Sequence, residues 1–589
     1  MSEQGFAAVR IPDFDRRFFE SSRAMSRIGK GEIGGKAHGL AIIHDALEAV
    51  RCQDCFQKID VSIPRFAVLA TDVFDAFMKQ NDLYEIALSE EPDSRIAHAF
   101  QQARMPTPIL GDLQALVEHV HQPLAVRSSS LLEDALFRPF AGVYGTKMTP
   151  NNQPDAQKRF QRLCEAIKYI WASTFFKDAR DYIRATDQEI RDEKMAVIIQ
   201  EVVGERLGDR FYPQLSGVGR SFNFYPSGRA RPEEGVVNLA LGLGMTIVDG
   251  GVSWAYSPMQ PKAPPPFGSV QALLQATQSD FWAIDMAKLV EHNPLKEREY
   301  LQHCSLADAE FDGALRYVAS TYTAESDRLV PGIGPTGPRA LNFAPLLVLR
   351  EYPLNEAVKD LLRLGEETLG KAVEIEFAMT FPHGHQEQRP RLGFLQVRPM
   401  VVSEAQVEIA DSEMDSPTAL VASEHVMGNG EVDRIQDIIY VKPDLFEPQN
   451  TPRIAAELDK LNTGLLKKNR PYLLIGFGRW GSSDPWLGIP VGWGAICGAK
   501  AIVEASLPNM MVDPSQGSHF FHNITSFHVS YFTVPHGSQR PVNWEWLRRQ
   551  PIEQEGEFVT HVRLAHPLRL RVDGRCGRGV ILTGDESAP

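Results

Sequence analysis

The sequence predicts an α+β fold, in which a large region that mixes helices and strands is followed by a smaller, mostly β region. In the first region, helical patterns such as LNEAVKDLLRLGEETLG (354–370) alternate with short β-branched runs such as MAVIIQEVV (195–203). In the second region, SFHVSYFTV (526–534) and FVTHVRLAHPLRLRV (558–572) have the pattern of strands. An acidic stretch with few large apolar residues, at 401–419, predicts a boundary between the two.

Composition restricts the class of protein. The chain has 589 residues, of which 43% are hydrophobic, so it is long enough for about three or four packing units of ordinary size. Its formal net charge of −14 argues against a non-specific nucleic-acid binder, which needs a basic face to neutralise phosphates. The first thirty residues contain no apolar run of secretory length, and no later apolar stretch reaches the length of a membrane span. We therefore expect a cytoplasmic protein that binds neither nucleic acid nor a membrane.

A Gly-Gly-Lys turn is the first candidate for chemistry. The segment IGGKAHGLAII (33–43) places two glycines and Lys36 before an apolar helical pattern. Paired glycines let backbone N–H groups approach a phosphate, and the lysine adds positive charge beside the favourable end of the helix dipole. The spacing differs from a Walker A loop, which has four residues between its glycines. Taken alone, such a segment is more often a loop before a surface helix.

The second candidate is LAVRSSSLLEDALFRPFAG (124–142), in which an apolar strand runs into an arginine and three serines. Arg127 would emerge from this strand with five donors in a fork that suits phosphate oxygens, and the serines offer hydroxyl and backbone N–H groups. The alternative is a structural salt bridge between Arg127 and Glu133 or Asp134. The segment by itself supports both interpretations equally.

The third candidate is VEIEFAMTFPHGHQEQRPRLGFLQVRPM (373–400), which predicts two strands joined by a loop. Alternation along a strand puts Glu374 and Glu376 on one face, and Gln396 and Arg398 on one face of the returning strand. Two carboxylates and an amide oxygen form an all-oxygen site of the kind that Mg²⁺ requires. A cross-strand pair between glutamate and arginine is the alternative.

Together, these three segments resemble the nucleotide-binding domain of the phosphoenolpyruvate synthase and pyruvate, phosphate dikinase family, which has an ATP-grasp fold. The similarity keeps the order and spacing of GGKA (34–37), VRSSxxxED (126–134) followed by FAG (140–142), and ExEF…LQxRP (374–399). It covers about residues 28 to 402. Weaker similarities lie between these motifs, at IIQEVVGE (198–205), LSGVGRSFNFYP (215–226) and LALGLGMTIVDGG (239–251).

The resemblance implies roles for individual residues. Lys36, Arg127 and Arg398 would act as the catalytic cations, with Lys36 and Arg127 on the ATP phosphates. Mg²⁺ would be held by Glu374, Glu376 and Gln396, the last two of which also contact the nucleotide. The adenine would lie beside Gln200, Glu201 and Val203, and the backbone at Gly242 and Gly244 would approach the nucleotide.

Two positions depart from the family pattern. The family usually has aspartate where this chain has Glu374, which lengthens the proposed ligand by one methylene group. It commonly has glutamate after the Gly-Leu-Gly of the glycine-rich segment, where this chain has Met245. Oxygen ligands are retained in the first case, whereas one polar contact is put in doubt in the second.

The C-terminal region lacks the family's later domains. No Thr-Ser-His-Ala motif of a phosphohistidine domain occurs, and residues 406–589 are too few for a (β/α)₈ barrel, which takes about 250 residues. The segments at 476–493 and 513–528 combine glycine, aromatic and charged residues, as binding loops often do. His519 and His522 are candidate phosphoryl acceptors, with Arg479 and Asp484 nearby. The alternative is that these histidines, which flank Phe520 and Phe521, are partly buried structural residues.

The sequence therefore predicts four parts and an enzymatic function. Residues 1–27 form an N-terminal extension, 28–402 the ATP-grasp domain, 403–420 a linker and 421–589 a β-rich domain of unknown role. We expect an enzyme that uses ATP and Mg²⁺ and passes a phosphoryl group to a protein histidine or a small molecule, in this chain or in trans.

Two alternatives to this function stay open. One is a kinase that acts directly on a small molecule or sugar. The other, from a different class, is an ATP-binding sensor or scaffold protein without turnover. A sensor could lose the arginine or the carboxylates and keep the adenine cleft. The retention of Lys36, Arg127, Glu376, Gln396 and Arg398 favours catalysis.

Overall fold

The computed structural model describes residues 11–584 except 17, 19–22, 51–55, 57, 132–141, 185–188, 225, 227–229, 264–268, 288–291, 383–387, 403–406, 483–485, 509–519, 521–522 and 525–526. Helices account for 32% of the chain and strands for 31%, which confirms the α+β class. Within the described residues, no helix combines the length and apolar character that crossing a bilayer requires. The helices are α1 (Gly34–Val50), α2 (Thr71–Gln80), α3 (Tyr84–Ala87), α4 (Asp93–Gln102), α5 (Thr107–His119), α6 (Ala156–Ser173), α7 (Lys177–Arg184), α8 (Met245–Val248), α9 (Val270–Ala276), α10 (Leu306–Phe311), α11 (Ala344–Leu347), α12 (Leu354–Leu369), α13 (Asp411–Met414), α14 (Thr451–Lys467) and α15 (Trp544–Arg548).

The strands divide between the two predicted regions. The first region contains β1 (Met25–Ile28), β2 (Asp60–Ser62), β3 (Phe66–Leu69), β4 (Leu124–Ser130), β5 (Thr146–Thr149), β6 (Met195–Glu201), β7 (Glu205–Leu207), β8 (Arg210–Tyr212), β9 (Leu215–Arg220), β10 (Val236–Ala240), β11 (Trp254–Tyr256), β12 (Asp280–Asp285), β13 (Leu301–Ser305), β14 (Ala319–Thr323), β15 (Arg328–Pro331), β16 (Arg339–Leu341), β17 (Val373–Thr380) and β18 (Arg391–Pro399). The second contains β19 (Ala419–Ser423), β20 (Val426–Met427), β21 (Asn429–Val441), β22 (Tyr472–Phe477), β23 (Arg479–Trp480), β24 (Gly488–Ile489), β25 (Ala499–Ala505), β26 (Ser530–Val534), β27 (Ile552–Glu555), β28 (Val559–Asp573) and β29 (Arg578–Leu582).

Two sheets form the framework of the first region. The N-terminal sheet has the strand order β1-β3-β6-β4-β5, and the central sheet has the order β11-β10-β9-β17-β18-β2. The chain passes between them from β2, which runs parallel to β18, to β3, which pairs with β6. Because only residues 63–65 connect β2 to β3, the two sheets are held close along this edge. Smaller sheets, β13-β12-β8-β7 and β15-β14-β16, complete the region.

Helices α1 and α12 cover one face of the central sheet. Leu40 of α1 and Val358 of α12 belong to the same buried apolar cluster as Ile375 of β17 and Val397 of β18. α12 is the helix predicted at 354–370, and its apolar residues recur at helical spacing along the side that packs on the sheet. Since side chains alternate along a strand, the intervening residues of β17 and β18 point to the opposite face.

The C-terminal sheet is the main element of the second region. Its strand order is β19-β29-β28-β21-β22-β25-β26-β20, with β27 paired to β28. The neighbours β21, β22, β25 and β26 run parallel, and α14 makes the connection from β21 to β22, as a parallel pair requires. α13 and the start of β19 fall within the segment 403–420, so this sheet begins at Ala419.

Candidate functional site

A row of polar side chains lies on β17 and β18, on the face of the central sheet opposite α1 and α12. The two strands pair antiparallel, with Glu374 opposite Arg398 and Glu376 opposite Gln396. Directly opposed residues share a face, so the four predicted side chains are neighbours. The register shifts after Glu376, which is the irregularity of a β-bulge and leaves Leu395 without a Cα partner on β17.

Glu374 is held between two guanidinium groups. Its Oε2 accepts a hydrogen bond from Nε of Arg220 at 2.7 Å, and its Oε1 lies 3.7 Å from Nε of Arg398. All three residues are buried, and a buried carboxylate is stable when it is paired in this way. The cross-strand glutamate–arginine pair weighed from sequence is therefore present. The sequence interpretation missed Arg220 as its partner, and the only signal for it is a charge at the end of the apolar strand LSGVGR.

Glu376 is the more accessible of the two carboxylates. Its side chain is 14% exposed, against 1% for Glu374, so a cation entering from solvent reaches Glu376 first. Nη2 of Arg398 donates to Oε1 of Glu376 at 2.8 Å. Nη2 of Arg127, on another sheet, lies 3.7 Å from Oε2. Glu376 therefore joins the polar row of the central sheet to the N-terminal sheet.

Arg127 connects the two sheets. It lies on β4, and its Nη1 donates to the backbone oxygen of Leu395 at 3.0 Å and to Oε1 of Gln200 at 3.4 Å. Its Nη2 donates to Oε1 of Gln396. The bulge in β18 exposes the Leu395 carbonyl to this contact, because that residue has no Cα partner on β17. The salt-bridge alternative with Glu133 or Asp134 concerns positions outside the described residues.

The start of α1 packs against the serines of β4. Gly34 has φ of +75°, and a Cβ there would lie 1.8 Å from the backbone oxygen of Ser129, so glycine is required. Oγ of Ser129 accepts from the backbone N–H of Ala37 at 3.1 Å. Nζ of Lys36 donates to Oγ of Ser128 at 3.2 Å. Lys36 is buried, so α1 is not the surface helix of the alternative interpretation.

The glycine-rich segment lies over the same face of the central sheet as the acidic pair. Gly242 has φ of +82°, and its backbone oxygen accepts from Oγ of Ser216 at 2.6 Å. A Cβ at Gly244 would lie 3.8 Å from that same serine. Ser216 is opposite Ala378, two residues along β17 from Glu376, which places it on the acidic face.

Of the three residues predicted to contact adenine, Gln200 contacts Arg127 and the other two line a cavity. Glu201 and Val203 line a cavity of about 450 Å³ between the N-terminal and central sheets. A Cβ at Gly393 on β18 would lie 2.4 Å from Val203, so glycine keeps this approach open. Burial raises the pKa of Glu201. Nε2 of Gln200 donates to the backbone oxygen of Pro64 at 3.3 Å, which connects this cavity to the Arg127 cluster.

The C-terminal region touches the glycine-rich segment. Nη1 of Arg479 donates to the backbone oxygen of Gly250 at 2.9 Å. A cavity of about 160 Å³ at this contact is lined by Gly142 and Asp249 from the first region and by Arg479, Trp480, Trp493, Phe520 and Asn523 from the second. Burial raises the pKa of Asp249, whose carboxylate lies 2.7 Å from Arg298. The candidate residues Asp484, His519 and His522 fall outside the described residues.

A second ionic cluster lies in the C-terminal sheet. Asp437 on β21 accepts from Nε of Arg470 at 2.9 Å, and its Oδ1 lies 2.8 Å from Nε2 of His561. Arg470 also donates to Glu553 at 2.9 Å. Although burial alone raises it, the hydrogen bonds from His561 and Arg470 keep the pKa of Asp437 below its usual value. The ligand atoms of Asp437, Glu553 and His561 are close enough for a metal, but Arg470 already donates to both carboxylates.

The comparison with protein families covers most of the chain. The family model for the pyruvate phosphate dikinase AMP/ATP-binding domain matches residues 30–418. No curated protein has a significant match to the chain. The matched segment includes all the residues predicted to contact nucleotide or metal. It ends one residue before Ala419, where the C-terminal sheet begins.

Proposed function

The chain belongs to the pyruvate phosphate dikinase AMP/ATP-binding domain family, and from this membership we propose that it is a Mg-ATP-dependent phosphotransferase. The family consists of ATP-utilising dikinases, so membership supports an ATP-binding, dikinase-like function. The proposal adds phosphoryl transfer to a histidine or a small molecule, with an ATP-grasp arrangement of the two sheets around the nucleotide.

One observation carries this proposal: the three motifs meet in space. Lys36 lies against Ser128, and the preceding residue of that strand, Arg127, contacts Gln396 and lies 3.7 Å from Glu376. These contacts join positions up to 269 residues apart in the chain. A cluster with the cations and oxygen ligands of a nucleotide site, assembled from distant segments, supports a shared ligand better than three unrelated salt bridges would.

The cations have complementary tasks in this proposal. Lys36 contributes a point charge at the start of α1, where backbone N–H groups also point toward a bound phosphate. Arg127 presents a planar fork that can bind two oxygens of the transferring phosphoryl group and stabilise the charge that grows there. Because Arg127 is braced by Leu395 and Gln200, its guanidinium group is oriented before ATP arrives.

The oxygen ligands proposed for Mg²⁺ fit a hard cation. Glu376 and Gln396 are directly opposed on β17 and β18, and Glu374 follows on the same face. When bound, Mg²⁺ would neutralise charge on the ATP phosphates. Glu376 would supply the first carboxylate oxygen, since it is the accessible one. Glu374 would orient Arg398, and through it Glu376, in addition to any direct role.

The remaining residues position the nucleotide and its acceptor. Glu201 and Val203 would hold the adenine in the cavity beside Pro64, and Gly242 and Gly244 would let the backbone cover the phosphates. The C-terminal region would present the acceptor, because Arg479 reaches the glycine-rich segment directly. His519 and His522 stay candidate acceptors, since Phe520 and Asn523 beside them line the cavity at this contact.

Incubation with β- and γ-labelled ATP and Mg²⁺ tests the proposal. Release of AMP and phosphate is expected for dikinase chemistry, whereas ADP is expected for a kinase that acts directly on a small molecule. Acid-labile label on the protein, lost in His519→Ala or His522→Ala, would identify an internal acceptor. Product that forms only after a second protein is added would place the acceptor in trans. Bound ATP without turnover or label would overturn the proposal.

A sensor or scaffold function is the second candidate, and one observation favours it. The carboxylate of Glu374 is already neutralised by Arg220 and lies close to Arg398, so part of the acidic row is stable without a metal. If the protein only senses ATP, calorimetry will show ATP binding with the same affinity with and without Mg²⁺. A dependence of affinity on Mg²⁺, together with turnover, would exclude this candidate.

A further inference from the structure

A second cavity of about 450 Å³ lies where the first region meets the C-terminal sheet. We call it the interdomain pocket. Phe222, Phe224, Val401 and Val402 line it from the first region, and residues of β21, β25 and the segment before β26 line it from the second. Its volume is in the usual range for small-molecule sites, which is about 300–1,000 Å³. None of the residues predicted to bind ATP or Mg²⁺ is part of its lining.

Positive charge dominates the polar lining of this pocket. Arg434, Lys500 and Arg575 supply this charge, and Glu431 is the one carboxylate among the lining residues that the structure describes. Glu431 is already engaged, because its Oε1 accepts from Nε of Arg571 at 2.9 Å.

The cations themselves are not matched by carboxylates. Within the described part of the chain, neither Arg434 nor Lys500 nor Arg575 forms an ion pair. Nζ of Lys500 makes a long contact of 3.5 Å with the backbone oxygen of Phe527.

Lys500 lies close enough to Arg434 for their charges to interact. Burial, and then the nearby charge of Arg434, lower the pKa of Lys500. Lys500 is partly buried beside the exposed Arg434, and an anion bound between them would offset the repulsion between the two cations. The guanidinium fork of Arg434 suits a phosphate group in particular.

Aromatic rings supply the rest of the pocket. The rings of Phe222 and Phe224 meet edge to face, with centroids 5.1 Å apart. Nζ of Lys500 lies 5.8 Å from the centroid of the Phe527 ring. The lining therefore offers apolar surface beside the cationic groups, which suits a ligand that has an anionic end and a flat apolar end.

We propose that the interdomain pocket binds a phosphorylated small molecule that carries an aromatic or other flat apolar group, at a site separate from the ATP cleft. The phosphate lies between Arg434 and Lys500, and the flat group packs against Phe222 and Phe224. The ligand bridges the two regions. Phe222 lies two residues after Arg220 of β9, and Val401 lies three residues after Arg398 of β18, so the ligand contacts the segments that follow these two strands.

Calorimetric titration of the full chain with phenyl phosphate tests this site. A saturating non-hydrolysable ATP analogue is present throughout, so that the ATP cleft is already occupied. We expect one phenyl phosphate per chain, with affinity at least about tenfold weaker in Arg434→Gln and in Lys500→Met. Lys468→Met, which removes an exposed lysine at the end of α14, is the matched control and should bind as the wild type does.

One further variant makes the result specific. Phe222→Ala should weaken the binding of phenyl phosphate and leave the binding of inorganic phosphate unchanged, because only the ring is affected. Arg434 is exposed, so Arg434→Gln decides the outcome even if Lys500→Met is unstable. Absence of saturable binding, or equal affinity in wild type and Arg434→Gln, would each overturn the proposal.

Discussion

Two ionic clusters in this protein use the same side-chain chemistry but differ in what surrounds them. The central cluster consists of Arg127, Arg220, Glu374, Glu376 and Arg398, and the C-terminal cluster consists of Asp437, Arg470, Glu553 and His561. In the C-terminal cluster, the donors are His561 of β28 and Arg470, which lies two residues before β22, and these strands lie on either side of β21. In the central cluster, Arg127 comes from a different sheet, and its Nη2 lies 3.7 Å from Oε2 of Glu376.

This difference indicates different tasks. A cluster confined to neighbouring strands of one sheet is complete within itself, and its energetic role is to stabilise the fold. A cluster that bridges two sheets can exchange a protein contact for a ligand contact where the sheets meet. The following predictions break or sharpen this contrast, and they run from the largest expected effect to the smallest.

Replacing Arg127 by alanine should affect chemistry far more than folding. Loss of an oriented cation at the transferring group typically reduces the rate by about 10²–10³-fold, so Arg127→Ala should show at least that loss of ATP turnover. ATP affinity should fall much less, because Lys36 and the adenine contacts are intact. Turnover of labelled ATP and calorimetric binding give the two quantities. Equal turnover in Arg127→Ala and wild type would place the active site elsewhere.

Arg470→Ala is the corresponding change in the C-terminal cluster. It leaves the buried carboxylate of Asp437 without its guanidinium partner, and removing one member of a buried pair typically costs about 3 kcal/mol of unfolding free energy. Denaturant unfolding measures this loss, and ATP binding by the folded variant should match the wild type. Unchanged stability in Arg470→Ala would show that this cluster contributes little to the stability of the fold.

The two glutamates of the central sheet should separate metal binding from stability. Glu376→Gln should raise the Mg²⁺ concentration needed for half-maximal ATP turnover by about tenfold, since it removes the accessible carboxylate. Glu374→Gln should lower the thermal unfolding temperature more, because Glu374 lies between Arg220 and Arg398. Magnesium titrations and thermal unfolding of both variants are the measurements. The reverse ranking would show that Glu374 is the main metal ligand.

The smallest expected effect is a pH dependence of the C-terminal cluster. The pKa of Asp437 is lowered in the folded protein, so its stabilising contribution is present above the ordinary aspartate pKa of about 3.9 and is lost as the pH falls through the folded value. The wild type should therefore exceed Asp437→Asn in unfolding free energy at pH 6, and this margin should shrink by about 1 kcal/mol at pH 3. Denaturant titrations at both pH values give the margin, and a margin independent of pH would contradict the assignment.

The sequence predicted several local features correctly. The helical spacing of apolar residues at 354–370 predicted α12, and the β-branched run at 195–203 predicted β6. Strand alternation placed Glu374 beside Glu376 on one face, and the pairing of β17 with β18 confirms that placement. The family resemblance is confirmed for residues 30–418. The functional roles of the site residues stay predictions.

Other parts of the site could not be predicted from the sequence pattern. Arg220 is a partner of Glu374 only because β9 pairs with β17 across more than 150 residues of chain. The Leu395 carbonyl is available to Arg127 only because a bulge interrupts the ladder at that point. The contact of Arg479 with Gly250 depends on how two regions pack, and no periodicity in either segment specifies it.

By itself, then, the sequence determined the family, the mixed helix and strand content, and the identity of the side chains that occupy one face of β17 and β18. The tertiary structure alone decided which of those side chains are already paired, which one is accessible, and where the C-terminal sheet meets the first region. The physical reason is the range of the interactions. Propensity and alternation act between residues a few positions apart. The contacts of Arg127, at 73, 268 and 269 positions, exist only after whole sheets have packed.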